Sequence, residues 1–430
     1  MPLPLGYGPA AEFRTPAGQD GSVELRNWAG NITFSAERLH APTTLEQLQE
    51  LVATTSRIRA LGTRHSFNRI ADTTGDLVSV RELVGDIRID AGAETVSVPA
   101  GARYGEVGVA LQQQGWALAN LGSLPHISVA GACATGTHGG GVDNQCLAAA
   151  VRAVEFVRAD GELVRVAADD PAFGGSVLNL GALGILTRLE LAVEPSYQLR
   201  QDVWLNAPLA VVIERFDEIM ASGYSISLFS ELRRPTIDKI WIKSRGADVV
   251  DGRRWGAEPA LLPQHPVTGQ DPSAVTEQLG AIGSWHERLP HFRLEFSPST
   301  GAEQQSEYLL PAEHAGAALA AIHRLALSPV LQVAEVRSIA ADQLWLSPCS
   351  GRQTVGLHFT WIDDSARVHD AVVALESALT PFDARPHWGK VFLADPAAHY
   401  PRLGDFRRLA AAHDPDRKFG NDFLDQYVYG

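Results

Sequence analysis

The sequence predicts an α+β protein of two packed units, and three observations lead there. At 430 residues the chain exceeds the size over which one hydrophobic core usually extends. Up to about residue 195, short apolar strand-like runs alternate with stretches of helical periodicity, the pattern of a sheet with helices packed round it. From Ser196 the strands become longer and alternate polar with apolar residues, with two helical stretches among them.

Taken in order, VELRNWAGNITFSA reads as a short strand and turn. Thr44 can then cap a helix with Gln47 three residues on, and Leu45, Leu48, Leu51 and Val52 follow at helical spacing. The strand SRIRALG runs into a loop. Apolar runs at 77–80 and 87–98 follow, then a helix over about 103–115 with Val107 and Leu111 inward. Beyond a second loop, VRAVEFVRADGELVRVA alternates on either side of Asp160-Gly161, a hairpin signal. GALGILTRLELAVEP supplies a turn and a strand, and the first unit, 26–195, ends there. In the second unit, 196–384, strands are expected at 224–229, 239–243, 292–296, 330–336 and 354–361, and helices at 312–326 and 366–379. Two helices cover one face of such a sheet and leave the other free to roof a site. The last segment, 385–430, carries a helix near 403–412.

Charge and composition exclude several roles. Fifty Asp and Glu against 36 Lys and Arg give a net charge of −14, against nucleic acid or an anionic membrane as the main partner. Cys133, Cys146 and Cys349 make neither a disulfide framework nor a paired metal-ligand spacing, so reduced thiols in a cytoplasmic protein are expected. Residues 1–25 read as a flexible extension, not a signal peptide, and no apolar run is long enough to span a bilayer. G-x-G-x-x-G, Walker, H-E-x-x-H and G-x-S-x-G motifs are absent.

Two stretches stand apart. LGTRHSFN (Leu61 to Asn68) and GSLPHISVAGACATGTHGGGV (Gly122 to Val142) each gather Gly, Ser, Thr and His directly after an apolar run. Exposed N–H groups and small hydroxyls of this kind can approach an anion such as a phosphate closely. Together with WHERLPHFR, SEYLLP, EVRSIAADQLWLSP, HFTW and RPHWGK, these stretches resemble the flavoproteins of the vanillyl-alcohol-oxidase type, and most closely the alditol oxidases. The resemblance covers nearly the whole chain from Asn27, and several long motifs in one order are a stronger signal than any glycine-rich loop alone.

The resemblance implies the two-domain FAD-binding fold of that type, with an antiparallel-sheet substrate (cap) domain and a C-terminal segment returning to the FAD-binding domain. It also implies FAD joined covalently, through the 8α-methyl of the flavin, to His65. Ala60, Leu61, Gly62, Thr63, Arg64 and Ser66 then hold the pyrophosphate, while Ser128, Gly131, Thr135, Gly136, Thr137, His138, Ile185 and His387 lie along the cofactor. Neither Cys133 nor Cys146 matches the cysteine of doubly linked relatives, so one covalent bond is expected. Gly122 lacks a side chain that could shield the flavin from oxygen, as suits an oxidase.

Glu335 and Arg337 lie two residues apart, as do His358 and Thr360, which sets each pair on one strand face. By pattern alone these are polar strand faces or a surface ion pair. By resemblance Ser123, Glu335, Arg337, Thr360 and Lys390 form the polyol-binding cluster. Arg337 and Lys390 stabilise a developing alkoxide, Glu335, Ser123 and Thr360 orient the substrate, and either Lys390 or His358 takes the proton. The implied activity is oxidation of the terminal primary hydroxyl of a polyol such as xylitol or sorbitol, with O2 as acceptor, by a monomer that carries no metal. The rival on the same scaffold is an aldonolactone oxidase or dehydrogenase. More distant rivals are a hydrolase using a metal held by His126, His138, His286, His291 or His387, and a non-catalytic flavin carrier.

Overall fold

The computed structural model of the chain describes residues 25–296, 302–327 and 329–430. The extension expected over 1–25 lies outside them but for Leu25. Thr44 and Gln47 form the expected capping box, and the helix Leu45–Thr54 buries Leu48 and Val52. Strands Arg38–His40, Asp76–Val78 and Ile58–Ala60 make a parallel three-stranded sheet, Asp76–Val78 in the middle.

A second, antiparallel sheet has the order Arg88–Asp90, Thr95–Pro99, Ile185–Ala192, Val151–Val157, Leu163–Ala167. The apolar run 87–98 is thus two strands, because Asp90 Oδ1 accepts from Gly92 N and Ala93 N and closes a turn between them. At the expected hairpin Gly161 takes φ +87°, and Asp160 Oδ1 accepts from Glu162 N.

The largest sheet has nine strands, all antiparallel in their pairings. Its centre runs Gln198–Pro208, Thr236–Arg245, Ser225–Ser230, Leu331–Ile339, Thr354–Ile362, Glu303–Pro311. The first and last of these, Gln198–Pro208 and Glu303–Pro311, were not among the expected strands. Residues 292–296, expected as a strand, make one bridge only, Phe292 to Val275, and then turn. Register assigns the two faces. Ile240, Leu228, Val336, Leu357 and Tyr308 belong to the apolar side, under helices Leu209–Glu214, Ala315–Ile322 and Ser365–Leu379. Their neighbours one residue along, Lys239, Lys243, Ser227, Glu335, Arg337, His358, Thr360, Gln305 and Glu307, occupy the other side. That face carries these polar groups together with Phe229, Trp241 and Val333.

Arg385–Pro386 pairs with Glu303–Pro311 at the edge of this sheet. The chain then returns to the first unit. Lys418 Nζ donates to Val52 O and Ala159 O at 2.6 and 2.7 Å, and Asn421 Nδ2 donates to Asp72 O at 2.8 Å.

Candidate active site

A cavity of about 960 Å³ lies between the two glycine-rich loops and the polar face of the large sheet. That is the size of a small-molecule or cofactor site. The first loop leaves the strand Ile58–Ala60 and is clamped from two sides: Trp28 N donates to Arg64 O at 2.8 Å, and Phe67 N to Gly389 O at 2.8 Å. Arg64 is held at φ 65°, a left-handed conformation that costs a non-glycine residue on the order of 1 kcal/mol. Thr63 joins the loops: its Oγ1 accepts from Ser128 N at 3.2 Å and lies 3.1 Å from His65 Nδ1.

His65 stacks on Trp28 with ring centroids 5.0 Å apart. Its Nε2 is shut from solvent without a partner. Burial, with His126 and Lys390 adding, lowers its pKa to about 3, so the ring is neutral and one nitrogen keeps its lone pair. A Cβ on Gly62 would stand 2.6 Å from Ser128 Oγ, and one on Gly131 2.8 Å from the same atom. Both positions therefore keep backbone bare toward the cavity. An orphaned, neutral imidazole beside such a cradle fits a phosphate-bearing cofactor.

Ala60 to Ser66, Ser128, Gly131, Thr135, Thr137, His138 and His387 all line the cavity. Two expected residues do not. Gly136 takes φ +79° to end the short helix Val129–Thr135, and Ile185 points into the core, leaving Gly184 and Leu186 at the wall. Gly122 is also behind the wall, with room for a Cβ at 3.5 Å from Thr137 Cγ2. Cys133 and Cys146 are buried elsewhere, Cys133 against the Tyr104 hydroxyl at 3.4 Å and Cys146 against Asp342 at 3.2 Å.

On the sheet face, Ser123, Glu335, Arg337, His358, Thr360 and Lys390 are brought together in the same cavity. Arg337 donates from Nε and Nη2 to the two oxygens of Glu335, and from Nη2 to Ser123 Oγ. Burial raises the Glu335 pKa, but Arg337 and then His291 outweigh it and hold the carboxyl well below its ordinary range. Burial, with Lys390 adding, lowers His358 to about 4, and burial lowers His387 to about 3. Burial also lowers Lys390, against the opposing pull of Glu307 and Glu303.

The sequence reading missed the layer behind these groups. His291, weighed only as a metal ligand, lies 2.7 Å from Glu335 Oε1 through Nε2, and its Nδ1 faces Lys243 Nζ at 3.3 Å. Lys243, 1% exposed, also donates to Leu289 O and Pro290 O. His291 Nε2 thus sits between the Glu335 carboxylate and Arg337 Nη2, the latter at 3.0 Å. Alternation with Trp241 was the one available signal that Lys243 faces inward. Gln305 and Glu307 were also missed: Gln305 Oε1 meets both Lys390 Nζ and His358 Nε2, and Glu307 lies 2.9 Å from His138 Nε2. Among the described residues, no group of three or more His, Cys, Asp or Glu is placed to hold a metal, and no helix is long and apolar enough to cross a membrane.

Comparison with known proteins identifies the family. Residues 36–167 match the FAD binding domain family, and residues 302–427 match the D-arabinono-1,4-lactone oxidase family. The chain is 48% identical over 417 residues to an alditol oxidase of a Streptomyces species, covering 95% of this chain and 100% of that protein. It is 26% identical over 435 residues to an L-gulono-1,4-lactone dehydrogenase of Mycobacterium tuberculosis, covering 92% and 97%. Cholesterol oxidase from B. sterolicum shares the fold at a TM-score of 0.76 and 14% identity, over 94% of this chain and 96% of that one.

Proposed function

This chain belongs to the alditol oxidase family of FAD-binding oxidoreductases, and from that premise we propose that it oxidises the terminal primary hydroxyl of a polyol, such as xylitol or sorbitol, to the aldose. The observation that carries the reading is the meeting of Ser123, Glu335, Arg337, Thr360 and Lys390 in one cavity with the His65 loop. FAD, when bound, supplies the hydride acceptor and passes the electrons to O2, giving H2O2.

The chain's own groups do the rest. Ala60 to Ser66, with Ser128 and Gly131, hold the cofactor, and His65 anchors it covalently through the lone pair its neutral ring retains. Glu335, tied to Arg337, presents a fixed carboxylate to the polyol hydroxyls, and Ser123 and Thr360 add hydroxyl partners. Arg337 and Lys390 stand as cations where oxygen charge develops. A monomer in the cytoplasm completes the reading, and three buried free thiols support the reducing compartment.

The test is an absorption spectrum before and after acid precipitation, then anaerobic addition of xylitol. Yellow colour that stays with the precipitate, disappears from the precipitate of His65→Ala and bleaches with xylitol is expected. Colourless protein purified with flavin available would overturn the cofactor reading. Yellow protein bleached by an aldonolactone and not by polyols would move the activity to lactones, the reading that the match over 302–427 keeps in view.

A further inference from the structure

Two groups in the cavity, His358 and Lys390, could each take the proton of a substrate hydroxyl, and both touch the same atom. Gln305, on the strand Glu303–Pro311, turns its Oε1 to Lys390 Nζ and to His358 Nε2, the latter at 3.1 Å. Its Nε2 donates to Glu303 Oε1 at 2.6 Å. Backbone pairing fixes this meeting: Gln305 lies opposite Thr360 in the sheet, and Val391 N donates to Gln305 O at 2.8 Å, which brings Lys390 alongside.

The orientation of the amide follows from its neighbours. Turned over, its NH2 would face an ammonium and its carbonyl a carboxylate, two repulsions in place of two bonds. A carbonyl oxygen only accepts, so His358 must carry its hydrogen on Nε2. In the neutral ring Nδ1 then holds the lone pair, and no described residue donates to it.

We propose that Gln305 is a positioning residue: through one carbonyl oxygen it fixes His358 as the Nε2–H tautomer and Lys390 as a donor, leaving His358 Nδ1 to take the substrate's hydroxyl proton. This rests on the polyol-oxidase reading above. The O–H bond breaks toward Nδ1, its electron pair becomes the second C–O bond, and the hydride leaves carbon for the FAD of that reading. Lys390 keeps its protons and faces the same oxygen as a charge. The groups that set the ring's titration are Lys390, Glu307, Glu335 and Arg337 round it, with Glu303 beyond the amide.

The test uses holoenzyme labelled with nitrogen-15 in histidine, the His358 signals assigned by their absence in His358→Gln. The native ring is expected as the Nε2–H tautomer. The exchange Glu303→Gln with Gln305→Glu, which keeps a donor facing an acceptor between the two and an oxygen facing the ring, keeps it. Gln305→Leu loses it to a mixture, with kcat down about 10–100-fold, the range typical of lost supporting partners, at little-changed KM, and with the His358 limb of the pH profile displaced. A native ring protonated on Nδ1, or a Gln305→Leu variant with unaltered tautomer and kcat, overturns the proposal. An Nε2–H ring in a native enzyme that turns over no polyol would sink the substrate reading and leave the role of Gln305 intact.

Discussion

Acidification tests the site's electrostatics most directly. His291, His358 and His387 are held neutral, with pKa values near 3, 4 and 3, each lowered mainly by burial. In the unfolded chain each returns to about 6.5. Between these limits the unfolded chain binds more protons, so stability is complete above about pH 6.5 and falls as the pH drops. At pH 5 each histidine has cost ~2 kcal/mol, and on the order of 5 kcal/mol for the three once water around half-buried His358 is allowed for. A whole domain typically has only about 5–15 kcal/mol. Asp342 and Asp414, whose pKa values burial raises, oppose this only as the pH nears the carboxyl range. Below it Glu335 and Glu307, both held low, add to the loss. The assay is the urea midpoint of the purified protein from pH 7.5 to 5. It should fall throughout, more gently in His291→Gln or His387→Gln. A midpoint that stays level over that interval would refute the neutral-histidine account.

Three further outcomes are expected. Gly62→Ala puts a methyl 2.6 Å from Ser128 Oγ, so FAD content after purification should fall severalfold, while stability moves by about 0.5 kcal/mol or less because the hydroxyl can rotate aside. Lys243→Met leaves Leu289 O, Pro290 O and His291 Nδ1 unpaired, partly offset by removing a buried cation; a loss of ~2–4 kcal/mol in denaturant melts and a raised polyol KM are expected. Asn421→Ala removes the amide that donates to Ile70 O and Asp72 O and accepts from Leu424 N, and should cost ~2 kcal/mol, with kcat unchanged in the protein that remains folded.

The sequence by itself determined the local elements and the composition of the two loops. The Thr44–Gln47 capping box and the Asp160-Gly161 turn are set by bonds between residues a few positions apart, so local reading found them. Alternation at Glu335/Arg337 and His358/Thr360 marked two polar strand faces, because a pleat repeats every two residues whatever the strand pairs with. It could not say that both strands share one sheet face. Only the tertiary structure decided that, through a register that sets Glu335 opposite His358. Residues 292–296 alternate like a strand, yet they make one bridge, at Phe292, and of the five Phe292 alone lines the cavity. Ile185 sits one residue from the wall on a strand whose phase the sequence left open. Gln305, 85 residues from Lys390, carried no mark in the chain, and His291, 44 residues from Glu335, was marked only as a candidate metal ligand. Their roles come from hydrogen bonds to groups that only folding brings within 3 Å, and an uncharged amide or a buried imidazole has no local pattern to announce such a partner.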